Sequence, residues 1–89
     1  MNNVKRKELA KISNRLSEAR DMLSYIKDDL EYVLSDEEDT MSNMECFSGT
    51  ERYIAIEEAV DNMSDAVNSI EEAIDEIDNA VESIDNAQK

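Results

Sequence analysis

The sequence predicts an all-α protein, an antiparallel two-helix hairpin of coiled-coil type in which two hairpins pair into a four-helix bundle. Three observations carry this. The chain has no proline and one glycine, Gly49, whereas strands need turn residues every few positions. Apolar residues recur with a period of seven in both halves of the chain, which is the spacing of a helical seam. The chain has 89 residues, enough for one small domain that hides only a modest fraction of its surface alone, so self-association is the expected remedy.

The first helix is expected over about residues 3 to 36. Leu9, Leu16, Leu23 and Leu30 occupy position a of successive heptads, and Ile12, Ala19, Ile26 and Val33 occupy d. Asn2 or Asn3 can cap its start. The a/d pattern stops after Leu34, at Ser35-Asp36-Glu37-Glu38-Asp39-Thr40, so an acidic turn is expected over about residues 37 to 48. Met41, Met44 and Phe47 recur there at spacing three, which fits either a helical turn plugging the end of the bundle or a loop. Cys46, beside Phe47, reads as a small buried hydrophobe. As the only cysteine, it excludes an internal disulfide and a clustered thiolate site.

The second helix is expected over about residues 49 to 87. Ser48 with Glu51 spells a capping box, and Thr50 is an alternative N-cap. Four heptads follow, with Val60, Val67, Ile74 and Val81 at a and Met63, Ile70, Ile77 and Ile84 at d. These eight residues are the expected oligomer core. An alanine precedes each a residue, at Ala59, Ala66, Ala73 and Ala80, widening the stripe so that a further helix can approach on the g side.

Charge orients the two helices. Residues 1 to 27 carry seven basic and three acidic side chains, and residues 28 to 89 carry two basic and twenty acidic ones. In an antiparallel pair the e flanks face each other. With the fold near residue 43, Arg6 lies towards Asp78 or Asp85, Arg20 towards Ser64 or Glu71, and Lys27 towards Glu57 or Ser64. Lys5, Arg6 and Lys7 sit at a helix N-terminus, and Glu82 and Asp85 near a C-terminus, where the helix dipole disfavours both signs. An antiparallel hairpin sets these two ends side by side. Arg52, alone in an acidic run, is expected to pair with nearby carboxylates.

The chemistry-bearing residues point away from catalysis. There is no histidine, so the common nucleophile and base pairs cannot be built, and no glycine-rich phosphate cradle exists. Paired carboxylates such as Glu57-Glu58, Glu71-Glu72 and Asp75-Glu76 fall at solvent positions, away from any apolar pocket that could tune them. The cluster Asp36 to Asp39 lacks the glycine and spacing of a calcium loop. No enzyme activity, cofactor or metal is expected. Tyr25 and Tyr32, one heptad apart at c, form an aromatic patch that reads first as packing over the bundle edge. The net charge of -14 argues against direct nucleic-acid binding. With no apolar run long enough for a signal or a membrane span, a cytoplasmic protein without membrane contact is expected.

The run Ser42-Asn43-Met44, then Ser48-Gly49-Thr50-Glu51-Arg52-Tyr53 and Glu57-Glu58-Ala59-Val60-Asp61, resembles a family of small acidic helical proteins from bacteriophages and mobile elements of Gram-positive bacteria. The resemblance covers the turn and the start of the second helix, and the first helix matches only in character. The family pattern has a proline and a Leu-Gln near the turn, where this chain has Glu45 and Phe47. The resemblance implies an anti-defence setting, host cytoplasm included, in which small acidic proteins of the anti-CRISPR kind block defence nucleases. It implies no catalytic residue.

Two functions therefore compete. In the first, an acidic face made of Asp36, Glu37, Glu38, Asp39, Glu58, Asp61, Asp65, Glu72, Asp75, Glu76 and Glu82 imitates nucleic acid and blocks the basic surface of a protein partner. Eleven acids from Glu57 to Asp85 give about one per 4 Å of helix, against one per about 1.7 Å of duplex DNA. In the second, the chain is a homo-oligomeric, homodimeric scaffold or adaptor whose acids serve only solubility.

Overall fold

A computed structural model describes residues 1–89 as two long helices, α1 (Asn3–Asn43) and α2 (Glu51–Ala87), joined through a single 3-10 turn at Glu45–Phe47. The helices pack antiparallel into a rod of 67 × 15 × 14 Å. Its radius of gyration is 19.8 Å, whereas a compact chain of this length has about 12 Å.

Both helices begin as their sequences allow. The Asn2 side chain accepts a hydrogen bond from the Lys5 backbone N–H at 2.8 Å. At the second start the cap is Thr50 rather than the Ser48 box: Thr50 Oγ1 accepts from the Tyr53 N–H at 3.2 Å and donates to the Phe47 carbonyl at 2.8 Å. One hydroxyl thus ties α2 to the turn before it. Gly49 has φ +92°, a left-handed conformation that other residues adopt only at a cost, which explains the place of the only glycine.

The first helix runs seven residues beyond its expected end at 36, and α2 begins at Glu51 rather than 49. The expected turn over 37 to 48 is thereby shortened and moved. The physical reason is the face that α1 buries. Its inward residues are not the a and d columns but a and e: Leu9, Leu16, Leu23 and Leu30 are flanked by Arg6, Ser13, Arg20 and Lys27, and all are half-buried or buried. Followed on this face, the pattern does not stop at 34. Leu30, Leu34, Glu37, Met41 and Met44 continue it at spacings of four and three, all at least half-buried. No residue from 35 to 43 is proline or glycine, so nothing breaks the helix. Thr40 Oγ1 bonds back to the Asp36 carbonyl at 3.2 Å within that extension.

The core is thin. Val60, Val67 and Ile74 on α2 are its only buried apolar residues, at 7 to 8% exposure, and no side chain is fully enclosed. Met63, Ile70, Ile77, Val81 and Ile84 are half-buried. The a and d residues of α2 thus line the seam against α1 inside one hairpin. The accessible surface is 6549 Å², against about 5,300 Å² for a compact monomer of this mass. One expectation at the turn is corrected: Cys46 is exposed rather than buried. Of the two readings left open for Phe47, the structure has it 56% exposed on a 3-10 turn, because a single turn at the tip of a two-helix rod has nothing above it to pack against.

If Thr50 rather than Ser48 caps α2, Thr50→Ala should lower stability by about 1 kcal/mol and Ser48→Ala should leave it nearly unchanged. Thermal melts of the two variants followed by circular dichroism decide between the caps.

Candidate functional site: the acidic half of the rod

The register of the hairpin decides which charges cancel. Arg20 Nε donates to Asp78 Oδ1 at 3.0 Å, Lys27 Nζ lies 3.5 Å from Glu71 Oε1, and Ser13 Oγ donates to Asp85 Oδ1 at 3.1 Å. All three are e-to-e pairs across the seam, and each is centred on position 49. The expected pairing, folded near residue 43, lay one or two heptads closer to the turn, with Arg20 near Ser64 or Glu71 and Lys27 near Glu57 or Ser64. The extension of α1 moves the fold point to 49 and slides α2 by whole heptads, which keeps the same faces together while changing every partner. Asp85 now accepts from Ser13. Arg6 is left without an opposite acid, and its Nε is buried with no hydrogen-bond partner.

This register divides the rod electrically, since residues 28 and 70 lie at the same level. The half towards the turn, residues 28 to 70, carries thirteen acids and one base, Arg52. The open half, residues 1 to 27 and 71 to 89, carries ten acids and eight bases. Of the net charge of -14, then, -12 lies in the turn half and only -2 in the open half. Arg52, expected to pair with neighbours, makes no ion pair. The turn half is about 33 Å long, so its acids stand one per roughly 2.5 Å of rod, close to the spacing of phosphates along duplex DNA.

The structure separates the eleven expected face residues into groups. Asp36, Glu37, Glu38 and Asp39 lie on the last turns of α1, not in a loop around the tip, and Glu37 is half-buried while the other three are exposed. By the register they stand level with residues 59 to 62 of α2, beside Glu58, Asp61 and Asp65, all exposed. Glu72, Asp75, Glu76 and Glu82 are also exposed but belong to the open half. There Arg20 pairs with Asp78 and Asp21, and at the boundary Lys27 pairs with Glu71 of this half and with Glu31 of the turn half. Sequence reasoning missed Asp28, Asp29, Glu31, Glu45, Glu51 and Glu57 as members of the dense region. The signal was the register, legible only once the end of α1 is known.

No group of three or more carboxylates and thiols converges closely enough to hold a metal ion. The surface depressions are shallow, and one of about 300 Å³ is lined by Arg20, Ser24, Lys27, Glu71, Ile74 and Asp75 along the ion-pair flank. No helix is long and apolar enough to cross a membrane. Comparison with family models, with curated proteins and with solved structures gives no match.

Reversing both cations of the seam, Arg20→Glu with Lys27→Glu, should lower the melting temperature more in dilute buffer than in 1 M salt, where the screening length is only about 3 Å. The pairs are partly exposed, with side-chain exposures of 23 to 51%, so each contributes only about 0.2 to 1 kcal/mol. Equal losses at both ionic strengths would show that packing, not charge, was removed.

Proposed function

We propose that this chain is a non-enzymatic interaction module whose turn half presents a track of carboxylates to the basic, nucleic-acid-binding surface of a protein partner. One observation supports the reading above the rest: a net charge of -12 gathered into about 33 Å of rod, with Arg52 the only cation. Dispersed acids would serve solubility equally well. Acids concentrated to near the density of duplex phosphates, on a rod 15 Å across, are suited to compete for a groove that tracks a nucleic-acid backbone. The resemblance to acidic proteins of phages and mobile elements supplies the setting, an anti-defence inhibitor of the anti-CRISPR kind acting on a host nuclease.

A second reading, a homo-oligomeric scaffold, is favoured by a different observation. The d column of α1 is left open: Ile12, Ile26 and Val33 are exposed, although they sit at helical spacing on one face. The open face and the acidic track share one edge of α1, where Asp29 and Asp36 continue the spacing of Ile26 and Val33, whereas the acids Glu58, Asp61 and Asp65 lie apart from it on α2.

Two triple variants test the mimicry. Glu58→Gln, Asp61→Asn and Asp65→Asn remove charge from the turn half; Glu72→Gln, Asp75→Asn and Glu76→Gln remove the same charge from the open half. In pulldowns from a bacterial host lysate at low and moderate salt, the first triple should lose at least about tenfold in partner binding and the second much less, with helicity unchanged in both. Binding of the wild type should fall steeply with salt and be displaced by duplex DNA. A partner that holds both variants as tightly as the wild type, or that binds DNA and this chain together, contradicts mimicry and leaves the scaffold.

A further inference from the structure

The hairpin uses only one of two seams that α1 carries. Its a and e columns face α2, and its d, g and c columns form a continuous arc turned outward. On that arc Met22, Tyr25, Ile26, Tyr32 and Val33 are 49 to 79% exposed. Following d and g alone, Ile12, Arg15, Ala19, Met22, Ile26, Asp29 and Val33 succeed one another at spacings of three and four, which is itself a heptad seam. A concavity of about 280 Å³, lined by Ile12, Arg15 and Leu16, opens on the same side. A helix with two seams is made to be covered twice.

We propose that a second copy of this chain covers that arc, with the two α1 helices antiparallel about a two-fold axis beside Met22. This deepens the self-association reading given above and rests on it. Charge complementarity selects both the occupant and its direction. Residues 3 to 22 of α1 carry six bases and three acids, whereas residues 23 to 43 carry one base and seven acids. An antiparallel pair lays each basic half on the partner's acidic half. On the whole-rod scale it sets the -12 half of one hairpin beside the -2 half of the other, where a parallel pair would abut the two -12 halves. The alternative surface, on α2, has twelve acids and one base between Glu51 and Ala87, so α2 against α2 is repelled.

Local residues agree with that register. Residue 23 is the midpoint of α1 (Asn3–Asn43), so a two-fold axis between Met22 and Leu23 overlaps nearly the entire helix. Met22 then meets Met22 of the partner subunit, Ile12 lies level with Val33 of the partner subunit, and Ala19 with Ile26 of the partner subunit. Arg15 comes within about one helical turn of Asp29 of the partner subunit, and the symmetry makes this pair twice. The stripe is about 60 Å long and about 10 Å wide, or roughly 600 Å² a side. The total of about 1,200 Å² is at the lower edge of stable, specific interfaces.

Ile26 and Val33 are exposed in the hairpin, so Ile26→Arg with Val33→Arg should leave the helicity of the single chain intact and break only the dimer. Light scattering on the wild type at about 100 µM should give twice 10.1 kDa, and the double arginine variant should give a monomer. Arg15→Asp and Asp29→Arg should each weaken the dimer about tenfold, and the two together should restore it. In a Cys46→Ser background, Met22→Cys should oxidise to a covalent dimer, whereas Asp65→Cys on α2 should not; this arm reads the interface even if the arginine variant fails to fold. A wild type that stays monomeric overturns self-association itself. A wild-type dimer that survives Ile26→Arg with Val33→Arg, or that the paired charge swap fails to restore, overturns this interface alone.

Discussion

A seven-residue repeat determines which faces of two helices meet but not which heptads, because sliding one helix by a full heptad restores every face. In this protein the turn makes that choice. Helix α1 continues to Asn43, Gly49 takes the left-handed conformation, and Thr50 caps α2. The fold point therefore sits at 49, and Arg20–Asp78, Lys27–Glu71 and Ser13–Asp85 follow from it. The division of charge has the same origin. Only this register lays Asp36 to Asp39 beside Glu58, Asp61 and Asp65 while giving the bases of α1 to the acids of the far half.

The thin core and the open face of α1 are two consequences of one packing choice. Ion pairs and the Ser13 hydrogen bond draw the e flanks together, so the e column joins the seam and the d column turns outward. A two-helix rod cannot cover both. Hydrophobic burial scales with the apolar area removed from water, and three buried aliphatic side chains leave a large part of that contribution unrealised. In the proposed dimer the charge pattern steers how the remaining face is covered, since like charges disfavour α2 against α2 and the polarity of α1 favours an antiparallel neighbour.

Much of the hairpin was legible in the residues. The absence of proline, the paired heptads of Leu9 to Leu30 and Val60 to Val81, and the split of charge between the halves led to two antiparallel helices with facing e flanks. Asn2 was correctly among the candidate caps. The end of α1 was not legible from the a and d columns, because those columns become polar at Asp36 to Thr40 while the a and e face continues through Leu34, Met41 and Met44. The continuation of that face to Met44 sets the turn, the ion-pair partners and the neighbours of the acidic cluster. The exposed positions of the acids on α2 were readable from the repeat, but their division into compensated and uncompensated groups was not, since it depends on residues about 50 positions away along the chain.

The register centred on position 49 can be measured directly by cysteine pairing in a Cys46→Ser background. Ser13 and Asp85 touch through their side chains, so Ser13→Cys with Asp85→Cys should form an intrachain disulfide under mild oxidation. Arg6→Cys with Asp85→Cys should not, because Arg6 is a full heptad, about 10 Å, further along α1 and beyond the roughly 7 Å that a disulfide can bridge. Efficient closure of the second pair in place of the first would contradict the register, and with it the division of charge on which the proposed site depends.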